Sequence, residues 1–151
     1  MSNSKKLLIA AFAVIFLIGA TPLFAELDGI WEGYGEGSCY APDGTLIYPW
    51  QNWIGDVLNG TFEGVWEDSD GNYGDFHGGI ISFYISVEPP SHTFAHCEGT
   101  WTWVSSEGTI PIEMGPFSME FNLDLETCDG EWWSYSGPGL GGHMWGERIG
   151  P

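Results

Sequence analysis

Positive charge is nearly missing from this sequence. Its 151 residues hold 3 Lys+Arg against 21 Asp+Glu, a formal charge of −18. Nucleic-acid binding needs a basic patch to displace counterions, so that class is excluded. Docking onto an anionic membrane surface needs the same patch and is excluded with it. Helix formers are also scarce. Beyond residue 25 the only Ala are Ala41 and Ala95, the only Gln is Gln51, and there is no Lys. No window places apolar residues at helical spacing behind a cap, so a helical bundle is excluded. Recognisable catalytic patterns are missing too: there is no Gly-x-Ser-x-Gly, His-Glu-x-x-His or phosphate-binding loop. Nothing in the chain marks two of its carboxylates as an acid–base pair. An enzyme is therefore unsupported, and a non-catalytic role is expected.

The few cations are placed unevenly. Lys5 and Lys6 precede an uncharged apolar run, Leu7 to Ile18, and a small residue follows at Ala25. That order reads as a secretory signal peptide over residues 1–25, with retention as an anchor the alternative. The expected product is a secreted or periplasmic single domain, residues 26–151, with Arg148 as its only strong cation. Its surface charge favours solubility.

What the sequence has in abundance is aromatic and glycine residues: 9 Trp, 9 Phe, 6 Tyr and 23 Gly. A hydrophobic content of 43% argues against disorder despite the charge. Short aromatic-rich runs separated by Gly, Asn-Gly and Asp-Gly read as an all-β chain. One five-residue pattern recurs. Leu27-Asp28-Gly29-Ile30-Trp31 is echoed by Leu58-Asn59-Gly60-Thr61-Phe62, Cys97-Glu98-Gly99-Thr100-Trp101 and Cys128-Asp129-Gly130-Glu131-Trp132. The starts lie 31, 39 and 31 residues apart, a period typical of repeated supersecondary units. Locally, the Gly is expected to make a turn, and the aromatic two residues later to face the core of a new strand.

Each unit reads as a hairpin. The clearest runs from Thr61 to Glu67, turns at Ser69-Asp70-Gly71-Asn72, and returns from Tyr73 to Ile85. The others pair Ile30–Gly37 with Thr45–Val57, Thr93–Ser105 with Ile110–Leu125, and Glu131–Tyr135 with His143–Ile149. Four hairpins of this kind predict an antiparallel up-and-down barrel of about eight strands, favoured over a sandwich or a solenoid. Closure removes exposed strand edges.

Gly29-Ile30-Trp31 on the first strand and Arg148 on the last form a pair. This pair resembles the calycin pattern of lipocalins and avidin-like proteins. The resemblance implies a closed eight-stranded barrel, Trp31 packed under Arg148, and a ligand cavity at one mouth. The biotin-contacting positions of avidins have no counterparts that can be placed here, so no ligand carries over.

Candidate sites follow from the remaining residues. Trp50 and Trp53 flank Gln51-Asn52, and in a strand one of Trp132 and Trp133 must face outward. Trp50, Trp53 and Trp133 are the expected ligand-binding aromatics, suited to a carbohydrate or a small apolar ligand. In the alternative, a structural or surface-assembly protein, exposed aromatics make subunit contacts in an oligomer. Asp68, Asp70 and Asn72 alternate as three oxygen donors that could hold Ca²⁺. An EF-hand loop would need Gly where Tyr73 stands and Glu where Gly79 stands, so a plain turn is favoured. No other metal or cofactor is indicated. Of the three cysteines, Cys97 and Cys128 share a repeat position and are the favoured disulfide, with Cys39 left over.

Overall fold

The structure is a computed structural model that describes residues 23–108, 110–136 and 140–151. Most of the expected export signal, residues 1–22, lies outside the described residues, as does part of the last turn, 137–139.

The described residues form ten strands. In order they are β1 (Gly29–Gly37), β2 (Cys39–Tyr40), β3 (Leu46–Ile47), β4 (Asn52–Leu58), β5 (Thr61–Glu67), β6 (Tyr73–Ile85), β7 (Thr93–Val104), β8 (Pro111–Asn122), β9 (Thr127–Trp133) and β10 (Gly141–Gly150). Eight of them close into an antiparallel up-and-down barrel, ordered β1-β10-β9-β8-β7-β6-β5-β4. The expected fold class is the observed one, and it is compatible with calycin-type barrels. The first repeat differs in one respect. Thr45–Val57 does not run as one strand: β2 and β3 form a small separate hairpin, and the chain re-enters the barrel only at Asn52. The break falls at Trp50, whose φ of 64° takes the backbone out of the strand region.

Period-2 alternation builds the wall. Along β4 and β9 every second residue is buried. The inward set is largely aromatic: Trp31, Trp53, Phe62, Trp66, Phe76, Trp101, Phe117, Phe121 and Trp132 are all buried. A buried indole N–H is costly without an acceptor, and among the described residues only that of Trp50 lacks one. Trp66 donates to the Thr102 carbonyl at 2.8 Å, Trp101 to that of Trp133 at 2.8 Å, and Trp132 to that of Glu36 at 3.2 Å.

So many rings fit because glycines face them. Gly33 pairs with Gly146, Gly55 with Gly64, and Gly78 with Gly99 across neighbouring strands. A Cβ on Gly33 or Gly146 would lie 2.7 or 2.6 Å from the Trp53 ring. One on Gly78 or Gly99 would lie 2.8 or 2.7 Å from Phe117. Each pair is a notch that seats a ring.

This corrects the turn reading of the repeat. Only Asn59-Gly60 is a tight turn, joining β4 to β5 with φ values of 50° and 80°. Gly99 and Gly130 stand inside β7 and β9. There the motif is an in–out–in–out–in pattern, with Cys, Gly and Trp inward.

Both barrel ends are covered. At one, a helical turn at 23–27 buries Leu27 and sets Phe24 edge-on to Phe83, 5.2 Å between ring centroids. At the other, the β2–β3 hairpin buries Cys39, Ala41 and Ile47, and Trp50 stacks on Phe76 at 4.4 Å.

Candidate functional site

The calycin resemblance implies an open cavity at a mouth. The interior is instead filled by side chains, and the covered mouth leaves its aromatics facing each other. Trp50 is fully buried and Trp53 is 3% exposed, so neither is presented to solvent. Trp50 belongs to the plug, and Trp53 donates its N–H to the Tyr34 carbonyl at 3.3 Å. Trp133 does face outward, 42% exposed, with Trp132 fully inside, as their adjacency requires. The structure brings Trp50 and Trp53 together inside the barrel, edge to face with ring centroids 6.1 Å apart, and leaves Trp133 apart on the outer surface.

Groove geometry appears on the outer wall. A depression of about 560 Å³ is lined by residues from β1, β4 and β5 and by Tyr73 at the start of β6. The strand registers define it. Tyr34 stands opposite Asn52, Asn52 opposite Glu67, and Glu67 opposite Tyr73. These four make one row across four strands, with the tyrosines at its ends, about 14 Å apart along the wall at ordinary strand spacing. The adjacent row runs Glu32, Ile54, Val65, Asp75. It supplies an apolar floor between two acids. Tyr34 is 61% exposed and Tyr73 49%, so both rings are open to a ligand. Trp145 on β10 extends the tyrosine row beyond Tyr34.

Alternation explains why these residues point out. Tyr34 is three residues beyond buried Trp31, and Asn52 and Ile54 flank buried Trp53. Their outward direction was therefore readable from the sequence. Their assembly into one row was not, because it depends on the register between β1 and β4.

The other candidate residues have structural roles. Trp31 and Arg148 are strand partners at the seam where the barrel closes. Trp31 is buried and donates to the Leu27 carbonyl at 3.2 Å. Arg148 donates to the carbonyls of Glu26 and Asp28, at 2.9 and 3.1 Å, and pairs with the Glu126 carboxylate. Its stem crosses Gly29, where a Cβ would lie 3.0 Å from Arg148 Cδ.

Asp68 is the hub of its turn. Its carboxylate accepts from the backbone N–H groups of Asp70 and Asn72 at 3.0 and 2.9 Å, from the Asn72 amide, and from Tyr48 N–H at 3.1 Å. These donors occupy the oxygens that a cation would use. Asp70 and Asn72 serve the same turn, which supports the turn reading.

The expected Cys97–Cys128 bond is not formed. All three cysteines are free and buried. Cys97 on β7 and Cys128 on β9 are separated by β8, where Met119 faces Cys97 and Phe121 faces Cys128. Two strand spacings, about 9–10 Å, exceed the roughly 7 Å reach of a disulfide. Burial pushes the Cys97 thiol up to about 12, with Glu98 and Glu120 adding to it. Burial raises Cys128 further, and it lifts Cys39 to about 11 against a hydrogen bond from Ser134.

A further cluster was only half visible in the sequence. His96 contacts Glu98, two residues away, at 3.1 Å through Nε2, and Glu120 on β8 at 2.5 Å through Nδ1. Tyr84 donates to the same Glu120 carboxylate at 3.0 Å.

No family model, curated protein or solved structure matches this chain.

Proposed function

We propose that the protein is an exported, non-catalytic binding module that presents a carbohydrate site on the outer wall of a solid barrel. One contrast carries the reading. Rings fill the interior, while Tyr34 and Tyr73 stand outside with Asn52 and Glu67 between them. Flat aromatic faces suit the C–H faces of a sugar ring. An amide and carboxylates between them suit its hydroxyls, and Ile54 and Val65 give a floor that costs little to dehydrate. A filled core disfavours a small apolar ligand held inside.

A glycan panel read by intrinsic fluorescence and calorimetry tests this. Binding is expected for at least one class of saccharide. Tyr34→Ala and Tyr73→Ala should each weaken it about tenfold, the scale of one aromatic contact. Both side chains are exposed, so the fold should survive. Binding untouched by either substitution, or no binding at all, would overturn the reading.

The assembly alternative draws on a different feature. The β6–β7 hairpin exposes Ile81, Tyr84, Ile85 and, in its loop, Val87. Apolar side chains gathered at one hairpin suit a contact with another protein surface. Sedimentation showing a concentration-dependent oligomer that Ile85→Glu dissolves would favour it.

A further inference from the structure

The groove's charged groups are all of one sign, and this says something about the ligand. Its carboxylates are Glu32 and Glu67. Among the described residues neither has an ion-pair partner, because the His and Arg side chains there that form ion pairs do so elsewhere. His77 pairs with Glu63, His96 with Glu98 and Glu120, His143 with Asp129, and Arg148 with Glu126. The one remaining histidine, His92, lies against Asn122 in the β6–β7 loop region. Asp75, beside Val65, has its carboxylate taken up by the Thr102 hydroxyl at 2.8 Å.

A neutral sugar in this groove would cover Glu32 and Glu67 and offer only hydroxyls in return. A protonated amine offers a charge-assisted hydrogen bond to the carboxylate. It also gains from the faces of Tyr34 and Tyr73. From this complementarity, and resting on the saccharide reading of the same groove, we infer that the ligand is a cationic amino-sugar oligomer. The two carboxylates set its length. Glu32 is on β1 and Glu67 on β5, with β4 between them, about 10 Å apart laterally. A single amino sugar reaches one of them; an oligomer with free amines reaches both.

The experiment is calorimetric titration of the whole protein with glucosamine oligomers, their N-acetylated counterparts and neutral glucose oligomers. N-acetylation removes the charge and keeps the ring. At low salt the free-amine oligomer should bind about tenfold tighter than the acetylated one, and added salt should erode that gap. Glucosamine itself should bind more weakly than its oligomer. Glu32→Gln and Glu67→Gln should each remove most of the preference. Glu107→Gln, in the turn at 105–108, removes the same charge outside the groove and should leave the preference intact. Equal affinity for acetylated and free-amine oligomers would overturn the inference while leaving the saccharide reading standing. So would an equal effect of Glu107→Gln, since bulk charge would then be responsible. If none of these oligomers binds, the inference falls, and the wider glycan panel decides the saccharide reading separately.

Discussion

His96 has a carboxylate at each ring nitrogen, Glu120 at Nδ1 and Glu98 at Nε2. A neutral imidazole has one N–H and can satisfy only one of them; the imidazolium satisfies both. The groups around it reinforce this. From β6 come Ser82, its strand partner, and Tyr84, whose hydroxyl is on Glu120; from β9 comes Asp129, opposite Glu120. Partial burial pulls the His96 pKa down, but the two carboxylates outweigh it, and the net shift is upward from 6.5. The folded protein therefore holds this proton more tightly than the unfolded chain. The stabilisation is complete below about pH 6.5 and fades as pH rises through the folded-state value. Urea melts of the native protein and His96→Gln should differ most at mildly acid pH and converge as pH rises through the folded-state value. A stability difference that grew with pH would contradict the clamp. The buried thiols give a second expectation at this scale. Burial and raised pKa values should keep Cys39, Cys97 and Cys128 silent toward a thiol reagent in the native protein. In denaturant without reductant all three should react. Reaction of only one would show that two of the three are bonded, and a non-reducing peptide map would identify the pair.

Strands are where the sequence was most and least legible. The in–out direction of each side chain follows from alternation around the tryptophans, and four successive hairpins favour the barrel over a sandwich or a solenoid. The two-residue Asn59-Gly60 turn even fixes a register: Leu58 faces Thr61, so Asn52 must face Glu67 and Ile54 must face Val65. The other half of the groove was hidden, because between β1 and β4 the chain detours through β2, β3 and Trp50, and no turn rule gives the register of Tyr34 with Asn52. The motif glycines were misread for a related reason. Asn59-Gly60 and Asp129-Gly130 look alike in sequence, yet one bends a chain and the other clears space. A Cβ on Gly130 would lie 3.1 Å from the Met119 sulfur. Glycine pairs that seat rings should therefore be intolerant as strand elements, whatever their backbone angles. Gly33→Ala, which drives a methyl into the Trp145 backbone carbonyl on β10 as well as the Trp53 ring, should cost roughly 2–3 kcal/mol. Gly150→Ala, with nothing within 4 Å of its Cβ, should change stability by less than about 0.5 kcal/mol. Equal melting temperatures for these two variants would remove the notch explanation.

The whole barrel is a meander with one exception: every wall strand pairs with its neighbour in chain order except at β1–β10, which joins the two ends. Closing that seam orders the longest loop in the molecule, so its contacts repay the entropy of closure only after most of the wall is in place. Arg148 sits there. It ties the carbonyls of Glu26 and Asp28, and with them the turn at 23–27 that buries Leu27, to β10 and to Glu126 in the β8–β9 turn. It joins the N-terminal segment to the C-terminal strand through backbone carbonyls. The guanidinium is partly exposed, so its worth is set by the charge-assisted bonds that solvent leaves intact, about 1–2 kcal/mol. Arg148→Ala should lower the melting temperature by a few degrees, and Arg148→Lys, which keeps the charge but loses the fork, should fall between the two. The kinetics are more diagnostic than the size of the loss. If the seam forms last, Arg148→Ala should speed unfolding and leave the refolding rate almost unchanged. A refolding rate that slows in proportion to the lost stability would mean that the two chain ends meet early. The barrel would then grow inward from its seam rather than close at it.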